Sequence, residues 1–155
     1  MPDATEENAS VPDLEIISTR TFDASRERVF NAWTDPVRLA RWWGPKGFRN
    51  TFHEFDLQPG GNWRFVMHGP DGVDYKNHSV FVEIAAPARI VFDHVSGPHF
   101  KVIVSFDEAG GKTKLTYQMV FETAAVRDQV KTFALKANRE SFDRLAAELK
   151  RLAAR

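Results

Sequence analysis

The spacing of apolar positions changes twice along the chain, and the changes divide it into a strand, two short helices, a run of further strands and a long closing helix. Residues 14 to 22, LEIISTRTF, are rich in β-branched and apolar side chains and are interrupted by Asp23 to Ser25, as a strand followed by a helix cap would be. Ser25 can accept from an amide of the next turn, and Val29, Phe30 and Trp33 follow at helical spacing. Asp35-Pro36 opens a second helical piece, because Asp caps and proline suits the first helical position, where no amide hydrogen is needed. Leu39, Trp42 and Trp43 form its buried face, and Gly44-Pro45 stops it.

Beyond that point short alternating runs replace helical spacing, which predicts strands near 48–57, 62–68, 73–85, 88–95, 99–107 and 112–121. Pro59-Gly60-Gly61, Gly69-Pro70-Asp71-Gly72, Ala86-Pro87, Gly97-Pro98 and Gly110-Gly111 are short enough to close hairpins between them. Short connections leave no room for crossovers, so the sheet is expected to be an antiparallel meander. From Ala124 onward there is neither Gly nor Pro, and one long helix is expected to bury Val126, Val130, Phe133, Ala137, Leu145, Leu149 and Leu152. Arg127, Lys131, Lys136, Arg139, Arg144 and Lys150 fall on its other side, expected to be wet. The fold class is therefore α+β, a curved antiparallel sheet of about seven strands around a long C-terminal helix, with two short helices after the first strand. A sheet bent around one helix leaves a gap at one end, the candidate site.

Composition narrows the partners. The chain has 155 residues, 21 Lys and Arg against 21 Asp and Glu, and no cysteine. Balanced charge removes the field that phosphate-backbone binding needs, so no nucleic acid is expected. Without cysteine, disulfides, thiolate nucleophiles and cysteine-ligated metals are excluded, which fits a reducing, cytoplasmic setting. Residues 1–13 read as a disordered acidic lead-in without signal-peptide or anchor character, and 14–155 as a single domain. No membrane span is expected.

Three segments carry a resemblance: VFNAWTDPVRLARWWGPKGF (29–48), DLQPGGNWRFVMHGPDGVDY (56–75) and, more loosely, SFDRLAAELKRL (141–152). With this order of elements the chain resembles the homologues of the activator of the ninety-kilodalton heat-shock-protein ATPase, in the START-like or SRPBCC superfamily that includes the birch-pollen allergens. The resemblance implies a helix-grip fold whose cavity holds lipids, polyketides or other hydrophobic molecules, and it brings in a chaperone contact. Where the family has Gly-Trp in the long helix this chain has Ala137-Asn138, which implies a wider and more polar cavity.

Catalytic spacing is absent. The five histidines, at 53, 68, 78, 94 and 99, form no HExxH or HxH, so neither metal nor cofactor is expected. Ser79 and Ser141 lack a nucleophile elbow or a Ser-x-x-Lys setting. Glu54 and Asp56 fit a solvated convex face, and Pro59-Gly60-Gly61 fits a tight turn. Thirteen Phe, four Trp and two Tyr instead suggest an apolar pocket. Its expected lining is Trp43, Phe48, Trp63, Phe65, Tyr75, His78, Phe92, His94, Tyr117, Met119, Phe133 and Asn138, with the 44–47 loop hinged at its rim beside the 69–72 turn. The favoured function is binding of a small hydrophobic molecule. The alternatives are a module that modulates a chaperone ATPase, and a cyclase or aromatase using His78, His94 and Tyr117 for proton transfer; a homodimer stays open.

Overall fold

The computed structural model describes residues 14–153, so the lead-in expected over 1–13 lies outside the described residues. In chain order the elements are β1 (Glu15–Phe22), α1 (Arg26–Thr34), α2 (Pro36–Trp42), β2 (Arg49–Phe55), β3 (Asn62–His68), β4 (Asp74–Ala85), β5 (Arg89–His94), β6 (Phe100–Ala109), β7 (Lys112–Phe121) and α3 (Ala124–Ala153). The seven strands form one sheet in the order β1-β7-β6-β5-β4-β3-β2, every neighbour antiparallel. This is the expected helix-grip architecture. Among the described residues no helix is long and apolar enough to cross a membrane.

Local chemistry explains the boundaries. Ser25 Oγ accepts from the Arg28 amide at 3.3 Å, and Asp35 Oδ1 from the Val37 and Arg38 amides at 2.9 and 3.4 Å, so each short helix starts on the side chain that caps it. At Gly61 a side chain is impossible as the backbone stands, because a Cβ there would lie 2.0 Å from the Asp56 carbonyl oxygen. The Gly60 amide donates to the Phe81 carbonyl and the Phe81 amide to the Gly61 carbonyl, tying this turn to β4. That is a turn's role.

Two bulges bend the sheet. Register slips between Phe52 and Glu54 on β2 and between Phe81 and Glu83 on β4. Each extra residue increases local twist and reverses the alternation beyond it, so Phe52 and Phe55 both pack on the concave core, as do Phe81 and Ile84. Glu54 and Glu83 turn outward to Arg64 at 3.1 Å and Arg89 at 3.3 Å.

The long helix packs differently from its expected stripe. Phe133 is 68% exposed, whereas Ala134, one residue later, is buried at 6%. Val126, Val130 and Ala134 descend one face in steps of four, and Phe142, Leu145 and Leu149 continue it. Phe133 and Ala134 stand three and four residues beyond Val130, both helical steps, and it is the four-residue step that turns toward the sheet. Arg144, expected on the wet side, turns back toward α2 and is half-buried.

Candidate functional site

A cavity of about 560 Å³ lies between the concave face of the sheet and the middle of α3. It exists because of what the helix carries there: Ala134, Ala137, Asn138 and Ser141 line it, short side chains where a Leu or Trp would reach the sheet. At its far end α3 closes tightly, with Leu145 at 0% and Leu149 at 5% exposure. The absence of a large residue at 137–138 thus matches open volume.

Of the expected lining residues, Trp43, Phe48, Phe65, Tyr75, Phe92, His94, Tyr117, Met119, Phe133 and Asn138 face the cavity, and Trp63 and His78 do not. Trp63 lies one layer deeper, stacked on Phe65 with centroids 4.6 Å apart and 5.0 Å from Trp43. His78 projects to the convex face, because β4 alternates and its neighbours Asn77 and Ser79 take the cavity side. Its Nε2 is 2.9 Å from Asn62 Oδ1, and burial followed by the Arg64 charge lowers its pKa. His68 is partly buried, between Thr51 Oγ1 at 2.7 Å and Asp74 Oδ1 at 2.8 Å.

Sequence reasoning missed Asn77, Ser79, Phe100, Ala134 and Ser141, all of which line the cavity. Two signals could have found some of them. Asn77 and Ser79 share strand parity with Tyr75, and Ala134 follows Val130 by one helical step.

The cavity's polar groups are few. His94 Nδ1 donates to the Pro98 carbonyl at 3.0 Å, its Nε2 lies 3.0 Å from the Asn77 side-chain amide, and its ring stacks on Phe100 at 4.6 Å. Burial lowers its pKa, favouring the neutral ring. Asn138 Nδ2 donates to Ser18 Oγ at 3.1 Å. Tyr117 is 6% exposed between Trp33 and Phe142, and its hydroxyl has no hydrogen-bond partner among the described residues. Burial raises its pKa, so it remains a neutral phenol. Ser79 is 1% exposed, and its Oγ also has no partner. Among the described residues no group of three His, Asp or Glu side chains could hold a metal ion.

The wall at residues 43–48 is held from α3 and β2, with Arg144 making most of the bonds and Glu140 accepting from the Lys46 amide at 3.2 Å. Arg144 Nη1 donates to the carbonyls of Trp43, Gly44 and Pro45 at 3.2, 2.9 and 2.9 Å, and Nη2 to those of Arg41 and Phe48 at 3.0 and 2.9 Å. Asn50 Nδ2 adds a bond to the Trp43 carbonyl at 2.8 Å. Gly47, at φ +87°, backs onto the Pro70 ring, which a Cβ would meet at 3.2 Å, so the 69–72 turn braces the loop from outside and itself does not line the cavity. The 44–47 loop, expected at the rim, forms part of the cavity wall through Gly44 and Pro45. The exposed lining residues are Tyr75, Phe133 and the Gly97-Pro98 turn, and they mark the mouth.

Solved structures share this architecture. A crystal structure of a Nitrosomonas europaea protein superposes with a TM-score of 0.85 at 20% identity, covering 92% of this chain and 98% of the other. A solution structure of an Arthrobacter aurescens protein gives 0.83 at 26% identity, covering 91% and 88%. The AHSA1 protein of Silicibacter pomeroyi gives 0.74 at 23% identity, covering 88% and 97%. No curated protein sequence matches. A family model described as Activator of Hsp90 ATPase homolog 1-like protein matches residues 23–150, which is most of the chain. On that match, and on a helix-grip fold of the SRPBCC or START-like kind, the chain belongs to the Activator of Hsp90 ATPase homolog 1-like family.

Proposed function

We propose that the protein binds a small hydrophobic molecule, such as a lipid or an aromatic polyketide, between the sheet and α3. One observation carries this reading: about 560 Å³ of space bounded mostly by aromatic and aliphatic side chains, within the range that accommodates a drug-sized ligand. The site lacks the parts of a catalytic constellation. With His78 on the convex face, a cyclase reading keeps His94 and Tyr117, neither paired with an orienting carboxylate.

The test is to heat the purified protein with fatty acids, sterols and aromatic polyketides, and to record its native mass spectrum as isolated. A ligand at a hundredfold over its Kd adds about 2.7 kcal/mol, an upward shift of several degrees in melting temperature for a chain of this size. No shift with any class and no co-purified mass would refute the proposal.

The family description favours one second reading, a contact with a chaperone ATPase. On the basic side of α3, the asymmetric charge such a contact could use, Arg144 is spent on the 41–48 backbone, and Arg127 donates to the Glu15 carbonyl at 3.0 Å and pairs with Asp128. An ATPase rate unchanged by excess protein would remove this reading.

A further inference from the structure

The cavity selects by charge as well as by size. Its lining contains no Lys, Arg, Asp or Glu among the described residues. Two guanidinium groups come close behind the lining: Arg144 bonds only backbone carbonyls of the 41–48 segment, and Arg20, over the outer side of the Phe142 ring at 5.9 Å, pairs with Asp143 at 2.6 Å. The one titratable base in the lining, His94, is engaged through both ring nitrogens, and its burial favours the uncharged form. A carboxylate or phosphate drawn inside would lose its hydration without gaining a cation, which disfavours anions strongly.

The cavity is nevertheless not purely greasy. Tyr117 carries a hydroxyl without a partner, deep under α3 between Trp33 at 6.0 Å and Phe142 at 5.9 Å. Tyr117 lines the cavity, so a hydroxyl that bonds no other described residue can serve whatever fills the space. As a phenol held neutral, it can donate to an acceptor oxygen across the ordinary pH range.

From the uncharged lining and the unmatched Tyr117 hydroxyl, we infer that the cavity takes a neutral ring compound bearing an acceptor oxygen, a ketone, quinone or ether, and rejects fatty acids and other anions. The oxygen accepts from Tyr117 while the ring system lies against Trp43, Phe92 and Met119. This rests on the ligand-binding reading above and specifies its chemistry.

Three matched probes test it: acetylnaphthalene, ethylnaphthalene and naphthoate, which present a ketone, a hydrocarbon and an anion on one ring system. Their affinities are read from amide chemical shifts of the wild-type protein and of Tyr117→Phe. The expected order puts the ketone about threefold to tenfold ahead of the hydrocarbon, the range of one neutral hydrogen bond. Naphthoate should be at least about tenfold weaker than the ketone. Tyr117→Phe removes only the hydroxyl and keeps the ring, so the readout is the ratio of ketone to hydrocarbon affinity within each protein. The variant's preference for the ketone should disappear. Naphthoate binding as tightly as the ketone, or a ketone preference that survives in Tyr117→Phe, overturns the inference and leaves the cavity reading intact. If none of the probes moves the shifts of cavity residues, the cavity reading fails and this inference with it.

Discussion

Replacing Arg144 tests whether one side chain holds the wall of the cavity. Its two terminal nitrogens face five carbonyl oxygens at 2.9 to 3.2 Å but carry only four hydrogens, so at least one is shared and the bonds cannot be summed at full value. A hydrogen bond to a charged group contributes roughly 1.5–3 kcal/mol when buried, and sharing and partial exposure reduce the set to about 3 kcal/mol in total. Arg144→Met keeps the length and apolar stem while taking the guanidinium from the carbonyls of Arg41, Gly44 and Phe48, and from those of Trp43 and Pro45, which keep the Asn50 side chain and the Phe48 amide as donors. It should lower stability in urea by about 3 kcal/mol and the melting temperature by about 6–12 °C. Arg144→Lys should lose about half as much, because an ammonium is a point donor and cannot bridge carbonyls on both sides of a planar fork. Both variants should bind the naphthalene probes more weakly, since Trp43 and Phe48 stand on the freed segment. A loss under about 1 kcal/mol for Arg144→Met would refute the argument, for it would mean that water satisfies these carbonyls equally well.

Two further outcomes follow from particular contacts. Glu148 is buried at 6% exposure, and the hydrogen bond from Arg151, with Arg41 adding to it, holds its pKa below the usual carboxylate range. A folded pKa below the unfolded one stabilises the protein above the unfolded value, and that contribution is lost as pH falls through the folded value. Glu148→Gln should therefore melt a few degrees lower at neutral pH, with the gap to wild type closing under acid conditions; a gap independent of pH would contradict the assignment. Phe133→Ser alters a ring that is 68% exposed at the mouth, so stability should change by less than about 0.5 kcal/mol while probe affinity falls several-fold. Equal affinity in the two proteins would move the mouth elsewhere.

The sequence made the elements legible because their signals are local. The strand at 112–121 has the expected ends, since alternation and the Gly110-Gly111 turn are both written into adjacent residues. Ser25 and Asp35 cap the helices they precede for the same reason. What stayed hidden depends on contacts between distant segments. No residue type announces the bulges at Phe52/Glu54 and Phe81/Glu83, yet each reverses every inward assignment beyond it. His78 precedes the bulge on β4, and plain alternation from Tyr75 already puts it on the opposite face. Arg144 read as a solvent-facing cation because its partners are backbone atoms about a hundred positions away, which no side-chain pattern encodes. The stripe on α3 misled at Phe133 because steps of three and of four from Val130 are equally helical, and of the small residues that line the cavity Ala137 and Asn138 were legible while Ala134 and Ser141 were not.

Those small residues let the volume of the site vary separately from the packing of the fold. The positions that secure α3, Phe142, Leu145 and Leu149, lie toward its C-terminal end, while Ala134, Ala137, Asn138 and Ser141 face open space. Lengthening one of the latter would draw down the empty volume before it disturbed a close contact. Single codon changes on two turns of one helix would thus reset the volume of the cavity, with the sheet left as an unaltered mould.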